Sequence, residues 1–524
     1  MSSIAVIQSG TDLQLVNSSG AVSVPLTLPT GINLRSDVPP RFVVFGRYVV
    51  LVNTPSQPLI IDATGTVRLL CPKPPRLAPV LSAASGGSLT GSYNGVRYTF
   101  VTNDTFGNLI SESDFSPPSN SQAVVSQYLV ASNLDISPDQ ISGRRIYRPT
   151  NLGATNFQWV DLDGNVVTSI QDDLSDAGLS LVAAPFLGTP PDLTLVAEYR
   201  DRLFGVDRVD VDDLRYTEVG LMYAWVQDNV FPIPSVGSDS VGIRGLIPRR
   251  EALGIGRQNQ LLQLTGSDDT DFTIVKLSQN LGVSSQESVA VYRDVAYFLW
   301  EDGVYQWDSS GLVCISDGKV RSWFAKDDTF NRGMFQYAFG MVDPVRLKYR
   351  LFLYEAGSTS QMNWVEYDLV EKTWWGPHRT DAFTPLSTFT ILDDNLVPRP
   401  TVGADTSLYR EQDTCTDGIN TGIPLDIITK RYDLDEPDLD KYFGELSVTG
   451  KAQSTGTLDI ALDVGELNAN SPGDPVWDMT KSRQRLQRVG AGKYVEMEFT
   501  NNQVGQDVQL YEVEVSPVSI LGRR

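Results

Sequence analysis

Runs of four to seven residues with abundant Val, Thr, Tyr and Phe alternate with short turns along most of this chain, and long helical periodicity is scarce. Branched and aromatic residues suit pleated strands, while 43 Gly and 30 Pro supply the punctuation between them. The pattern predicts an all-β protein.

One strand-like hexamer recurs: Arg47-Tyr-Val-Val-Leu-Val52, Asp201-Arg-Leu-Phe-Gly-Val206, Glu251-Ala-Leu-Gly-Ile-Gly256, Asp294-Val-Ala-Tyr-Phe-Leu299 and Tyr349-Arg-Leu-Phe-Leu-Tyr354. Each is followed by a second run: Leu59-Ile-Ile-Asp62, Leu214-Arg-Tyr216, Leu261-Leu-Gln-Leu264, Val304-Tyr-Gln-Trp-Asp308 and Trp364-Val-Glu-Tyr-Asp368. Turn residues such as Asp302-Gly303 or Pro55-Ser56-Gln57 lie between, so each pair reads as a hairpin. The third positions, Val49, Leu203, Leu253, Ala296 and Leu351, are 154, 50, 43 and 55 residues apart. Removing residues 78–189 reduces the first gap to 42, which brings the series near the roughly 40–50 residues of a four-stranded propeller blade.

The spacing predicts a β-propeller of six to eight blades. A degenerate further copy is expected at 385–415, with Ile4 to Ile7 and Leu13 to Val16 closing the ring against it.

Four segments follow: a first propeller segment at 1–77, an inserted domain at 78–189, the remaining blades at 190–424 and a C-terminal β-sandwich or sheet layer at 425–524. Pro72-Lys-Pro-Pro75 and Gly188-Thr-Pro-Pro191 bound the insert as linkers. Inside it, Val96–Val101, Gly107–Ser113, Arg145–Arg148 and Phe157–Val160 read as the strands of a small sandwich resembling a fibronectin type III module. Strict alternation in Leu446–Val448, Leu458–Leu462, Tyr494–Phe499 and Val508–Val515 predicts the last layer.

Charge narrows the function classes. A net charge of −22 over 524 residues opposes non-specific grip on nucleic acid, which draws its energy from cations released by basic side chains. Cys71, Cys314 and Cys415 form no CxxC pair and read as buried small hydrophobes, not as a disulfide framework or a zinc site. The amino terminus lacks a basic region and carries only a four-residue apolar run, unlike a secretory signal. No apolar stretch approaches the ~18 residues needed to span a bilayer.

Candidate chemistry is sparse. His378, the sole histidine, has no nucleophile partner in sequence and is expected in a solvent-facing or loop position. Gly-x-Ser-x-Gly and phosphate-cradling loops are absent from the sequence. Ser316-Asp-Gly-Lys-Val-Arg-Ser-Trp323 has the wrong register for a sialidase-type repeat and reads as a blade turn. Asp161-Leu-Asp-Gly164 and Asp433–Asp438 read as Asx turns rather than calcium loops. Aromatics such as Tyr223, Trp225, Tyr297, Trp307, Trp364 and Trp375 are expected between blades. No catalytic, cofactor-binding or metal-binding residue is assigned, and no cofactor is expected.

Residues 481–524 carry seven basic and five acidic side chains, against a strongly acidic remainder. Arg483, Arg485, Arg488, Arg523 and Arg524 are the candidate partner-docking residues, the basic end meeting an acidic neighbour.

A propeller with a fibronectin-like insert, the phrases Tyr199-Arg-Asp-Arg-Leu-Phe-Gly205, Asp213-Leu-Arg-Tyr216, Gln263-Leu-Thr-Gly266 and Asp302-Gly-Val-Tyr305, the run Val230 to Pro248, and a closing sandwich ending Gly522-Arg-Arg524 resemble the tail nozzle (tail-hub, tail tubular or packaged-DNA stabilisation) proteins of short-tailed bacteriophages. The resemblance implies a non-enzymatic virion subunit, assembled in the host cytoplasm into a hexameric ring below the portal and adaptor. Distal needle or fibre proteins are its further partners. Viral DNA passes its lumen without sequence-specific binding, and the ring retains the genome and guides its ejection. An acidic conduit agrees with that role, because like charge lets a duplex slide. The rival readings are a carbohydrate-binding or glycoside-hydrolysing propeller and a surface adhesin.

Overall fold

The computed structural model describes residues 4–522 except 37, 55–56, 105, 140, 180–182, 235–241, 380–382, 405–406, 411–415, 418–420, 423–424, 466–474, 502 and 504–507. Five sheets share one plan, four antiparallel strands in simple meander order. Blade 1 comprises Arg41–Phe45, Tyr48–Val52, Leu59–Ile61 and Val67–Leu69; blade 2 comprises Leu193–Tyr199, Arg202–Asp207, Asp213–Tyr216 and Val230–Pro232. Blade 3 is Gly245–Pro248, Leu253–Gly256, Leu261–Thr265 and Thr273–Ser278, and blade 4 is Ala290–Tyr292, Val295–Trp300, Gly303–Asp308 and Gly311–Cys314. Phe339–Asp343, Lys348–Tyr354, Met362–Asp368 and Trp374–Arg379 make blade 5, and a shorter sheet of Ser387–Leu392, Pro398–Gly403 and Leu408–Arg410 follows.

The five repeat anchors all fall on the second strand of their blade, and the paired runs fall on the third. Neighbouring residues of a strand point to opposite faces, and both faces of a blade are buried here. Leu203 packs with Val50, Val52 and Ile60 of blade 1, whereas the next residue, Phe204, packs with Leu246 and Leu253 of blade 3. Leu246 and Ile247 divide the same way between blades 2 and 4, as do Tyr297 and Phe298 between blades 5 and 3. Burial on both faces explains why the hexamers read as near-continuous apolar runs. Each fully buried large side chain contributes roughly 1.5–3 kcal/mol.

First strands of consecutive blades lie side by side, blade 2 between blades 1 and 3, and blade 5 between blade 4 and the shorter sheet. This is a β-propeller. The amino-terminal hairpin, Ile4–Ser9 with Asp12–Asn17, is a sheet of its own that packs Leu13 onto Leu51, Leu59 and Ile61 of blade 1. The Ser18 hydroxyl donates to Asp394 of the shorter sheet's first turn at 2.6 Å, so the two ends of the series meet through a side chain and not through a shared ladder.

Between blades 1 and 2 the chain forms two further sheets. One orders Ser169–Asp172, Gln122–Ser132 and Val80–Tyr93; the other orders Asn156–Asp163, Gly143–Pro149, Arg97–Asn103 and Leu109–Glu112. Leu81, Tyr98, Leu129 and Ile146 fill the space between them. The first of these sheets goes beyond the strands expected from sequence. Its long strand pair contains a bulge at Val125/Gln127, where Gly87 lies so close that a Cβ there would sit 2.2 Å from the Tyr128 nitrogen.

By contact, the chain divides into Met1–His378 with Ser387–Thr401, and Arg379–Leu386 with Val402–Arg524. The second unit contains a sandwich of two sheets, Leu425–Ile428, Val495–Asn501, Thr457–Val464 and Val476–Asp478 over Arg483–Gly492, Asp440–Gly450 and Leu510–Gly522. Trp477, fully buried, stands among Leu446, Val448, Ile460 and Phe499 at its centre.

Candidate functional site

A 3-10 turn, Gln286–Ser288, leads into the first strand of blade 4 and lies against the first strands of blades 3 and 5. Ser285 caps the turn by accepting the Glu287 N–H at 3.2 Å. Gln286 clasps the backbone of Leu246 in blade 3, accepting its N–H at 2.6 Å and donating to its carbonyl at 3.0 Å. The Tyr349 hydroxyl of blade 5 donates to the Ser288 carbonyl at 2.7 Å. Glu287 then forms an ion pair with Arg41 on the first strand of blade 1. Burial lowers the Arg41 pKa to about 10. One turn thus ties blades 3, 4 and 5 to blade 1, and its carboxylate is committed to a cation.

Blade 5 carries a second polar cluster. Cross-strand register places Arg350 opposite Glu366 and Asp343 opposite Lys348. Glu366 receives Arg350 at 2.9 Å and Lys348 at 2.8 Å, and Asp343 lies 3.5 Å from Arg350. Burial alone would raise the Glu366 pKa, but the Arg350 and Lys348 charges outweigh it and hold the carboxyl below its ordinary range. His378 sits on the fourth strand of this blade, half-buried with its ring 5.4 Å from that of Trp364. The solvent-facing or loop position expected for it is therefore corrected: strand pairing holds it against an aromatic face. Burial depresses its pKa, opposed by Glu366 and reinforced by Lys348 and Arg350.

In the inserted sandwich, Glu112 is buried and accepts the Thr99 and Tyr147 hydroxyls, each at 2.6 Å, with Arg145 at 3.3 Å. Burial raises its pKa despite those partners. Arg148 and Asp172, both fully buried, pair at 2.7 Å, and the guanidinium lies 4.8 Å from the Tyr93 ring centroid. Such pairs set local geometry more than they add stability.

A glycosidase needs two carboxyl groups facing one substrate, about 5 to 9.5 Å apart. The buried carboxylates described above are each engaged by a cation, a hydroxyl or both. Among the described residues no group of three or more His, Cys, Asp or Glu side chains is placed to hold a metal ion. A polar cleft of about 320 Å³ opens beside Gly188, Thr189, Arg215 and Trp225, with Asp114 as its carboxylate. Trp225 itself is buried, as are Tyr223, Tyr297 and Trp307. Trp375 departs from the expected burial between blades, being 50% exposed.

Of the remaining residues singled out from sequence, Cys71 is buried and its thiol pKa is pushed up by burial, whereas Cys314 is only half-buried. Cys415 lies outside the described residues. The segment Ser316–Trp323 is a turn running into the short helix Arg321–Ala325. Asp161 is not confined to a turn: it receives Arg145 from the neighbouring strand at 2.8 Å.

Arg483, Arg485 and Arg488 all lie exposed on the strand Arg483–Gly492, an edge of the C-terminal sandwich. Arg523 and Arg524 lie outside the described residues. The axial Arg41–Glu287 pair had no signal in sequence beyond two isolated charges.

No family model matches the chain, and no curated protein matches it. Among solved structures, it is similar to the exo-β-1,3-galactanase of Phanerochaete chrysosporium at 9% identity and a TM-score of 0.24, over 66% of this chain and 98% of that one. It is similar also to puromycin hydrolase (10% identity, TM-score 0.27, 76% and 56% covered) and to the extracellular domain of a hybrid two-component system of B. thetaiotaomicron (6%, 0.26, 97% and 79%). Scores this low leave fold and chemistry to be read from the chain itself.

Proposed function

We propose that this chain is a structural subunit of a phage tail nozzle, a ring that extends the DNA conduit below portal and adaptor. One observation carries the reading: the polar groups of the axial turn hold blades together, with Gln286 clasping Leu246 of blade 3 and Tyr349 of blade 5 bonded to the Ser288 carbonyl. The conduit in this reading is the lumen of a ring of copies, and the propeller axis is a braced hub. A net charge of −22 suits a wall past which a polyanion slides. The specific assignment rests on the resemblance of the sequence phrases: Tyr199–Gly205 falls across the first two strands of blade 2, Asp213–Tyr216, Gln263–Gly266 and Asp302–Tyr305 fall at the third strands of blades 2, 3 and 4, and the run from Val230 to Pro248 includes the fourth strand of blade 2 and the first of blade 3.

Co-sedimentation of the full chain with assembled portal and adaptor rings tests it. Stoichiometric capture supports the reading, and failure to bind either ring contradicts it.

The second reading is a carbohydrate-binding or glycoside-hydrolysing propeller, favoured by the polar cleft beside Arg215 and by exposed Trp375. Fold alone does not decide between these functions. A glycan array together with a chromogenic glycoside panel separates them, since turnover or sugar binding by the isolated chain belongs only to the second.

A further inference from the structure

We propose that the three-stranded sheet of the C-terminal sandwich is continued by a second copy of this chain, the strand Arg483–Gly492 of one copy pairing with the strand Leu510–Gly522 of the next. This deepens the ring reading and rests on it for its biological setting, while its chemistry comes from the sheet itself. The strand Asp440–Gly450 is central, and each outer strand has it as its one ladder neighbour among the described residues. Among the described residues both outer strands are therefore edges of the sheet, the position from which a further strand can be added.

The two edges carry opposite charge. Register sets Arg483 and Glu512 on either side of Thr449, Arg485 and Glu514 on either side of Ser447, and Arg488 and Ser516 on either side of Glu445. Three arginines thus follow one edge, and Glu512 with Glu514 the other. Arg483 reaches Glu514 at 3.4 Å and Arg485 reaches Glu445 at 3.8 Å, yet the two arginines remain 58% and 74% exposed. A strand laid beside either edge meets charge that it must match.

That polarity selects the symmetry. A two-fold axis would set arginine edge against arginine edge, or glutamate against glutamate, and like charges directly opposed destabilise a ladder. Head-to-tail addition sets arginine against glutamate. Both outer strands run antiparallel to the central one, hence parallel to each other, so repeated addition in one sense gives a parallel ladder at every junction. A heterologous contact of this kind closes into a ring when its rotation closes.

The acidic edge also ends in uncovered apolar surface. Val518 and Ile520 lie opposite Phe443 and Lys441, two buried residues, yet are themselves 36% and 53% exposed. A neighbouring copy on that edge removes them from water. Pro517, which has no N–H to donate, is tolerable on an edge strand.

Charge exchange tests the proposal on the full-length chain. One variant carries Arg483→Glu, Arg485→Glu and Arg488→Glu; the other carries Glu512→Arg and Glu514→Arg. Circular dichroism and the unfolding midpoint establish that both remain folded. Analytical ultracentrifugation should show wild-type assemblies that dissociate as salt rises, each variant alone associating at least about tenfold more weakly, and an equimolar mixture of the variants reassembling. Wild-type chain that stays monomeric up to its solubility limit would overturn the proposal. Rings that form equally well from either variant alone would also overturn it while leaving the nozzle reading standing. Loss of portal and adaptor capture by wild-type chain that still assembles through these edges would instead remove the nozzle reading and leave the edge pairing.

Discussion

Arg41 of blade 1 and Glu287, in the turn leading into blade 4, form an ion pair where the first strands of the propeller converge. Removing one partner leaves the other partly buried and uncompensated, which costs more than the pair itself supplies. Arg41→Ala or Glu287→Ala is expected to lower stability by about 1–3 kcal/mol. The apolar double variant Arg41→Met with Glu287→Leu should recover most of that loss. Urea unfolding of the wild type, the two single variants, the double variant Arg41→Ala with Glu287→Ala and the apolar double variant checks this; single losses that add fully in the Ala/Ala protein would show that the two side chains do not interact.

Stability should fall as pH drops from neutral. Burial holds the folded His378 pKa below its ordinary 6.5, so below that value the unfolded chain binds a proton that the folded chain does not. The associated stability is present above pH 6.5 and is lost as pH falls toward the folded pKa. Glu366, held below its ordinary 4.5 chiefly by Arg350 and Lys348 against the effect of burial, extends the loss further into acid. Glu112 acts in the opposite sense, since its raised pKa favours proton uptake by the folded state. His378→Gln should therefore flatten the dependence of the unfolding midpoint on pH just below 6.5 and leave the more acidic limb in place. An unchanged slope would contradict this placement of the ring.

Gly87 stands where the backbone of the facing strand leaves no room. Gly87→Ala drives a methyl group against the Tyr128 nitrogen and the Gln127 carbonyl, and is expected to cost about 1–3 kcal/mol. Gly107→Ala provides the local comparison, because nothing lies within 4 Å of a Cβ there and only its positive φ of 85° resists substitution. Thermal unfolding of the two variants ranks the effects.

Trp477 is the largest fully buried side chain of the C-terminal sandwich. Trp477→Ala should remove about 3–5 kcal/mol. Limited proteolysis followed by mass spectrometry should then show early cleavage within residues 402–524, with the blades cut later.

The blades were legible because both of their faces are buried: Leu203 and Phe204 must each be apolar, and a run of such residues at regular spacing survives inspection of a single sequence. The first sheet of the inserted sandwich was not. Its strand Val80–Tyr93 reads Val-Leu-Ser-Ala-Ala-Ser-Gly-Gly-Ser-Leu-Thr-Gly-Ser-Tyr, small and polar residues that resemble a loop, and it is set in place by Leu81, Leu89 and Tyr93 with a partner strand some forty residues later. His378 was misplaced for a related reason, since Gly376 and Pro377 beside it signal a turn while the ladder of blade 5 holds the segment as a strand. The axial pair joins blades 1 and 4, and no local pattern marks Arg41 or Glu287 as partners. Arg483, Arg485 and Arg488 were visible as an excess of positive charge, whereas their alignment along one outer strand, with Glu512 and Glu514 on the other, emerges from the register of the folded sheet.

Single-particle electron microscopy of the full-length chain, alone and mixed with portal and adaptor rings, tests the mechanical reading most directly. The account predicts rings of copies coaxial with the portal and adaptor, each copy a propeller braced at its hub. Isolated copies that never engage those rings, together with a substrate-sized opening at the hub in place of the Arg41–Glu287 pair, would contradict it.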